Sequence, residues 1–153
     1  MDLFFKKYGY QVVDDLVDKD YLKWAVKYFD LKFNVFRDYS TRRPDPPYVN
    51  NEVVFPYSRC YYDDPLAAAL LLTITPKIEK VVGKELYPTY AFCRGYEKGQ
   101  HLAAHTDRES CEYSITLPLC GSPWPITFKE LDKSVACTPG QGLIYKGQEL
   151  THY

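Results

Sequence analysis

The texture of the chain changes at Leu86, and that change limits what it can fold into. The runs TYAFCRGY (89–96), EYSITLPL (112–119), WPITFKEL (124–131), SVACTPG (134–140) and GLIYKG (142–147) are short and rich in β-branched and aromatic residues. Gly, Pro and charged residues separate them at intervals of roughly ten residues, which predicts antiparallel strands in a sandwich or barrel. Aromatic content is 16%, with 15 Tyr, 8 Phe and 2 Trp. That excess suits strands and a filled core but identifies no ligand.

The first 85 residues read differently. In DKDYLKWAVKYFDL (18–31), Leu22, Ala25, Val26 and Phe29 recur at helical spacing, with Asp18 or Asp20 as the cap. RDYSTRRPDPPYVNNE (37–52) holds three prolines and predicts a loop, a candidate lid over a site further along. Asp64 and Pro65 then place a cap and a first-turn proline ahead of a second helix over Leu66 to Val82, stopped by Gly83. Pro76, behind Thr73-Ile74-Thr75, predicts a kink or break in it. Two helices followed by a run of strands give an α+β domain with helices packed on one sheet. At 153 residues one domain is expected over 1–153, with 1–85 as its helical part and 86–153 as its strand part.

Bulk charge narrows the partners. There are 19 basic and 20 acidic side chains, a net charge of -1, so nothing announces nucleic acid. Arg42-Arg43-Pro44 is basic but reads as a solvated loop. No stretch is long and apolar enough to span a bilayer, and MDLFFKKYGY lacks a signal-peptide core. Cys60, Cys93, Cys111, Cys120 and Cys137 are odd in number and form no CxxC pair, which points to reduced thiols. A cytoplasmic protein without membrane partners is the expectation.

The chemistry concentrates in HLAAHTDRES (101–110), which holds two of the three histidines. On a strand, His105 and Asp107 point to one side and can aim a ring nitrogen and a carboxylate at one point. His-x-Asp alone arises by chance in about one chain in seven of such composition. A second, distant histidine gives the pattern weight. His152 lies 45 residues beyond Asp107, after a turn, a short apolar strand and another turn. Two His and one carboxylate with open positions form the facial triad of non-haem Fe(II) oxygenases. His101, four residues before His105, would bind metal only on a helix, so it reads as a surface or supporting residue. Arg108 reads as a solvated arginine.

Taken in order, YEKGQHLAAHTD, YSITLPL, WPITF and TPGQGLIYKGQELTH resemble the catalytic half of the 2-oxoglutarate- and Fe(II)-dependent dioxygenases, most closely the prolyl 4-hydroxylase-like branch. The resemblance runs from about Tyr87 to His152, under half the chain. It implies a double-stranded β-helix, or jelly roll, over 86–153. It also implies that His105, Asp107 and His152 are catalytic iron ligands, and that Fe(II), 2-oxoglutarate as co-substrate and ascorbate as accessory reductant take part. Tyr96 matches a family tyrosine that touches the co-substrate or frames the pocket. Ser114 and Thr116 alternate on the next strand and would line the pocket for the co-substrate. For Tyr96, Ser114 and Thr116 the competing reading is ordinary core or strand packing. The implied reaction is hydroxylation of a C–H bond coupled to decarboxylation of 2-oxoglutarate, on a peptidyl proline or another peptide or small-molecule substrate.

One departure matters. The family anchors the far carboxylate of 2-oxoglutarate with an Arg or Lys on the strand after the distal histidine. The sequence stops at Tyr153, so neither that residue nor that strand is in it. The resemblance therefore implies a C-terminally cut chain, with Lys146 or Arg94 as conceivable substitutes. The alternative is a metal-binding jelly-roll domain that lacks the anchor and does not turn over.

Overall fold

The computed structural model describes residues 2–35, 54–55 and 59–153. The proline-rich segment 37–52, with Arg42-Arg43-Pro44 and its expected role as a lid, lies outside the described residues. Helix α1 (Leu3–Tyr8) begins at Asp2, whose carboxylate accepts from Phe4 N (2.8 Å) and Phe5 N (3.3 Å). It stops at Gly9, whose φ of 73° is the left-handed cap conformation that glycine adopts most readily. Asp18 caps α2 (Lys19–Asp30) in the same way, and the helix runs on into a π-helical turn over Leu31–Val35. Asp64 caps α3 (Pro65–Val82), with Pro65 in its first turn and Gly83 as its stop.

Pro76 does not break α3: the helix continues through it to Val82. Proline removes the N–H that the Leu72 carbonyl would accept, and Leu72 lies on the exposed side of the helix, where that loss is tolerated most easily. The buried side carries Ala67, Ile74, Ile78 and Val82 at helical spacing.

The described strands are antiparallel. β1 (Tyr10–Val13), β9 (Gly142–Lys146) and β6 (Tyr113–Thr116) form one sheet in the order β1-β9-β6. β2 (Val54–Phe55) pairs with β5 (His101–Leu102), β3 (Arg59–Tyr62) with β4 (Phe92–Gly95), and β7 (Ile126–Phe128) with β8 (Lys133–Val135). The fold is therefore α+β, and the described strands close no barrel. The helical reading of 1–85 needs correction, because that part also supplies β1, β2 and β3.

Register explains why GLIYK lacks the alternation of a half-exposed strand. Ile144 stands opposite Gln11 and Ile115, and that face packs on Phe5, Leu16, Val17, Leu22, Ile74, Ile78 and Val82 from the helices and their connections. Leu143 and Tyr145 point the other way, into a second core with Tyr10, Phe128, Cys137 and Leu150. β9 is thus covered on both faces and reads as a nearly continuous apolar run. Gly142 begins it because a Cβ there would strike Leu16. Ser114, opposite Tyr145, and Thr116, opposite Leu143, face the second core. The candidate site lies on this side.

Candidate metal centre

Backbone pairing brings the two histidines together. His105 N donates to His152 O (3.0 Å) and His152 N donates to His105 O (2.9 Å), the reciprocal exchange of directly opposed antiparallel residues. On its other side the same segment pairs with the end of β7, through Thr127 N to Tyr153 O (3.0 Å) and Lys129 N to Thr151 O (2.9 Å). His152 is therefore held between two neighbours and is buried. Asp107 is fixed by its own N–H, which donates to Gly147 O (2.8 Å).

The side chains converge. His105 Nε2 lies 3.7 Å and His152 Nε2 3.8 Å from Asp107 Oδ1, and the three ligand atoms all fall within 4.8 Å of one another. The imidazole rings stand 4.4 Å apart at 52°. The orientation of each ring is set from behind. His105 Nδ1 lies 2.9 Å from Ala103 O, and His152 Nδ1 lies 2.9 Å from Leu150 O. A carbonyl oxygen can only accept, so each Nδ1 must carry the proton. In the neutral ring that leaves the Nε2 lone pair directed at the shared point, the tautomer a metal requires. Ser114 Oγ donates to Asp107 Oδ2 and turns Oδ1 toward the histidines.

These residues fit a divalent ion. Two donors at about 2.0–2.2 Å on one ion stand about 3 Å apart when adjacent and about 4.4 Å when opposed; the 3.7 and 3.8 Å separations fall between these, so the side chains must draw inward by under about 1 Å to grip an ion facially. Side-chain exposures of 13%, 15% and 5% for His105, Asp107 and His152 describe a largely shielded site.

The other residues singled out from sequence divide. Ser114 touches Asp107, whereas Thr116, one step along the same face, makes no hydrogen bond to the triad. Tyr96 sits elsewhere in its contacts: its ring meets Trp124 at 4.7 Å and its hydroxyl accepts from Arg94 Nη1 (3.0 Å). His101 is exposed on β5. Arg108 is exposed too, but it is not simply solvated, since its guanidinium lies 4.9 Å above the Tyr90 ring. The Tyr90 hydroxyl accepts from Cys111 Sγ (3.2 Å); burial, then that hydrogen bond, push its phenol above the usual range. Lys146 pairs with Glu149 (2.9 Å), and Arg94 lies over the rings of Phe92 and Tyr96.

Two residues at the site were missed from sequence. Gly147 passes so close that a Cβ would run into Asp107 Oδ2, Ser114 Oγ (2.7 Å) and Cys111 O (2.8 Å). A glycine directly after a buried strand was the available signal. Tyr145 places its hydroxyl 3.3 Å from His152 Nε2; the two-residue alternation from Leu143 put it on the inner face, but nothing in sequence tied it to the triad. Comparison of the chain with protein-family models, with curated proteins and with solved structures finds no match.

Proposed function

We propose that this chain is an Fe(II)- and 2-oxoglutarate-dependent hydroxylase, similar to the prolyl 4-hydroxylase-like dioxygenases, acting on a peptidyl proline or another peptide or small-molecule C–H substrate. One observation carries the reading: His105 Nε2, His152 Nε2 and Asp107 Oδ1 face a common point, with both Nδ1 protons committed to backbone carbonyls. Two imidazoles and a carboxylate leave coordination positions for a co-substrate and for O₂. The face of β1-β9-β6 turned to β7-β8 and residues 151–153 is read as the two layers of a jelly roll. Fe(II) and 2-oxoglutarate would together supply, from O₂, an oxidant able to remove hydrogen from an unactivated C–H bond, with succinate and CO₂ as by-products. The chain's own work is positional. Ala103 and Leu150 fix the ring tautomers, Ser114 fixes the carboxylate, and the apolar layer of Phe128, Leu143 and Leu150 limits water near His152. Ascorbate would keep the metal ferrous between turnovers.

The test is succinate formation from 2-oxoglutarate in air with and without Fe(II). Iron-dependent succinate that vanishes in His105→Ala supports a dioxygenase. A chain that binds iron but yields no succinate with any peptide tested belongs to the second reading, a metal-binding domain without turnover. That reading is favoured by the state of the two basic side chains considered as anchors, since Lys146 is paired with Glu149 and Arg94 is stacked on Phe92 and Tyr96.

A further inference from the structure

The two sheets around the second core each leave one edge unpaired, and those edges border a groove of about 540 Å³. Among the described residues β1 bonds only to β9, and β8 only to β7. Register fixes which backbone groups are left over. Lys146 N donates to Gly9 O (2.9 Å), so the ladder bonds between β1 and β9 fall at Gly9–Lys146, Gln11–Ile144 and Val13–Gly142. The N–H and C=O of Tyr10 and Val12 therefore point away from β9, toward the groove they line. Thr127 spends both its N–H and its C=O on Tyr153, so Ile126 and Phe128 are the β7 residues that bond to β8, at Val135 and Lys133. That turns the backbone of Ser134 outward. Side chains sort by the same period of two. Val12 and Val135 pack on the second core, and Tyr10 stands 5.2 Å from Phe128, the cross-strand partner of Lys133. The groove is thus apolar at its Val12–Val135 end and cationic at its Tyr10–Lys133 end. Lys133 is exposed and in no ion pair with a described residue, and no carboxylate lines the groove. Phe4, 45% exposed, adds an aromatic face.

We propose that this groove binds an extended peptide segment of a partner protein as an added strand on β1, with an apolar side chain against Val12 and Val135 and an acidic one two positions along against Lys133. Unpaired donors and acceptors on a sheet edge give affinity for an extended chain, and the surfaces met by alternate side chains give selectivity. The period of two places both selecting side chains on one face of the ligand, at the spacing that separates Lys133 from Val135. A groove of this size takes a few residues of extended chain. The β1 edge of a second copy would instead bring its own β9 and α1 with it. The proposal does not depend on the metal reading.

The probe is the peptide acetyl-Thr-Val-Thr-Val-Thr-Glu-Thr-amide, titrated into the isotope-labelled chain and followed by amide NMR. The Tyr10, Val12 and Ser134 resonances should move together, and solvent exchange of the Tyr10 and Val12 N–H groups should slow. The same peptide with every backbone nitrogen methylated keeps its side chains but has no N–H to donate, and it should not bind. Val12→Pro removes an N–H that β9 does not use, a change an edge strand tolerates, and should abolish the shifts. Lys133→Gln should weaken binding about threefold, the worth of an exposed ion pair; equal affinity there overturns the assignment of an acidic ligand. Resonances of Tyr10 and Val12 that stay still, or equal binding by the methylated peptide, overturn the proposal without any variant. So does a free chain in which those two N–H groups are already protected, the sign of an edge filled from within. A dimer in sedimentation that Val12→Pro dissolves also overturns it, in favour of a second copy.

Discussion

At the residue scale, orientation matters as much as identity. Three ligand-type side chains can meet by chance, but His105 and His152 each present the nitrogen a metal needs because a carbonyl two residues back holds the other one. Ser114 does the same for Asp107, and its removal isolates that contribution. Ser114→Ala should weaken Zn(II) or Fe(II) affinity about 10- to 100-fold by calorimetry, the usual effect of losing a hydrogen bond behind a ligand. Stability should change far less. Unchanged affinity would mean that the carboxylate is oriented by its backbone bond to Gly147 alone. The sequence made His105 and Asp107 legible through period-two geometry and His152 through a family-like order of motifs. Gly147 and Tyr145 were not legible, because their roles depend on how β9 turns back toward the Asp107 loop, a contact between segments 40 residues apart.

At the element scale, helix starts were the most readable feature. Asp18 and Asp64 cap α2 and α3 where short polar side chains ahead of apolar periodicity placed caps. The capped six-residue α1 and the strand β1 escaped, although Asp2 and Gly9 carry the same start and stop signals. A segment so short has no visible period, and β1 is defined by its pairing with β9. Asp64 does more than cap. Its fully buried carboxylate also accepts from Tyr28 Oη (3.0 Å) and from Lys32 Nζ, tying α2 and its π-helical extension to the start of α3. Burial alone would raise its pKa, but the bonds from Lys32, Tyr28 and Leu66 N–H outweigh burial and hold it below the usual carboxylate range. The unfolded chain therefore binds this proton more readily, and the stabilisation is present in full above the ordinary carboxylate pKa of about 4. It is lost as pH falls below that value and through the folded pKa. Asp64→Ala should cost about 3 kcal/mol or more at neutral pH in urea unfolding, as expected for breaking a buried pair and a cap. Its stability should also decline less between pH 5 and pH 3 than that of the wild type. Parallel declines would remove Asp64 from the account of acid sensitivity.

At the scale of the whole molecule, β9 joins the two halves of the chain. One face carries Ile144 into the helical layer, and the other carries Leu143 and Tyr145 into the layer that ends at His152. The broad class, α+β with antiparallel sheets, followed from the order of periodic segments. The insertion of β1 beside β9 did not, because YQVV is too short to announce a partner so far along the chain, as in the pairing of Tyr10 with Tyr145. No helix among the described residues is long and apolar enough to cross a membrane. The central claim is that His105, Asp107 and His152 form one Fe(II) site able to accept 2-oxoglutarate. An anaerobic titration with Fe(II) and 2-oxoglutarate, followed by visible absorbance, tests it most directly. The account predicts a metal-to-ligand charge-transfer band that saturates with both components and is absent in Asp107→Ala. A wild-type chain that gives no band, or an Asp107→Ala variant that gives an equal one, would contradict it.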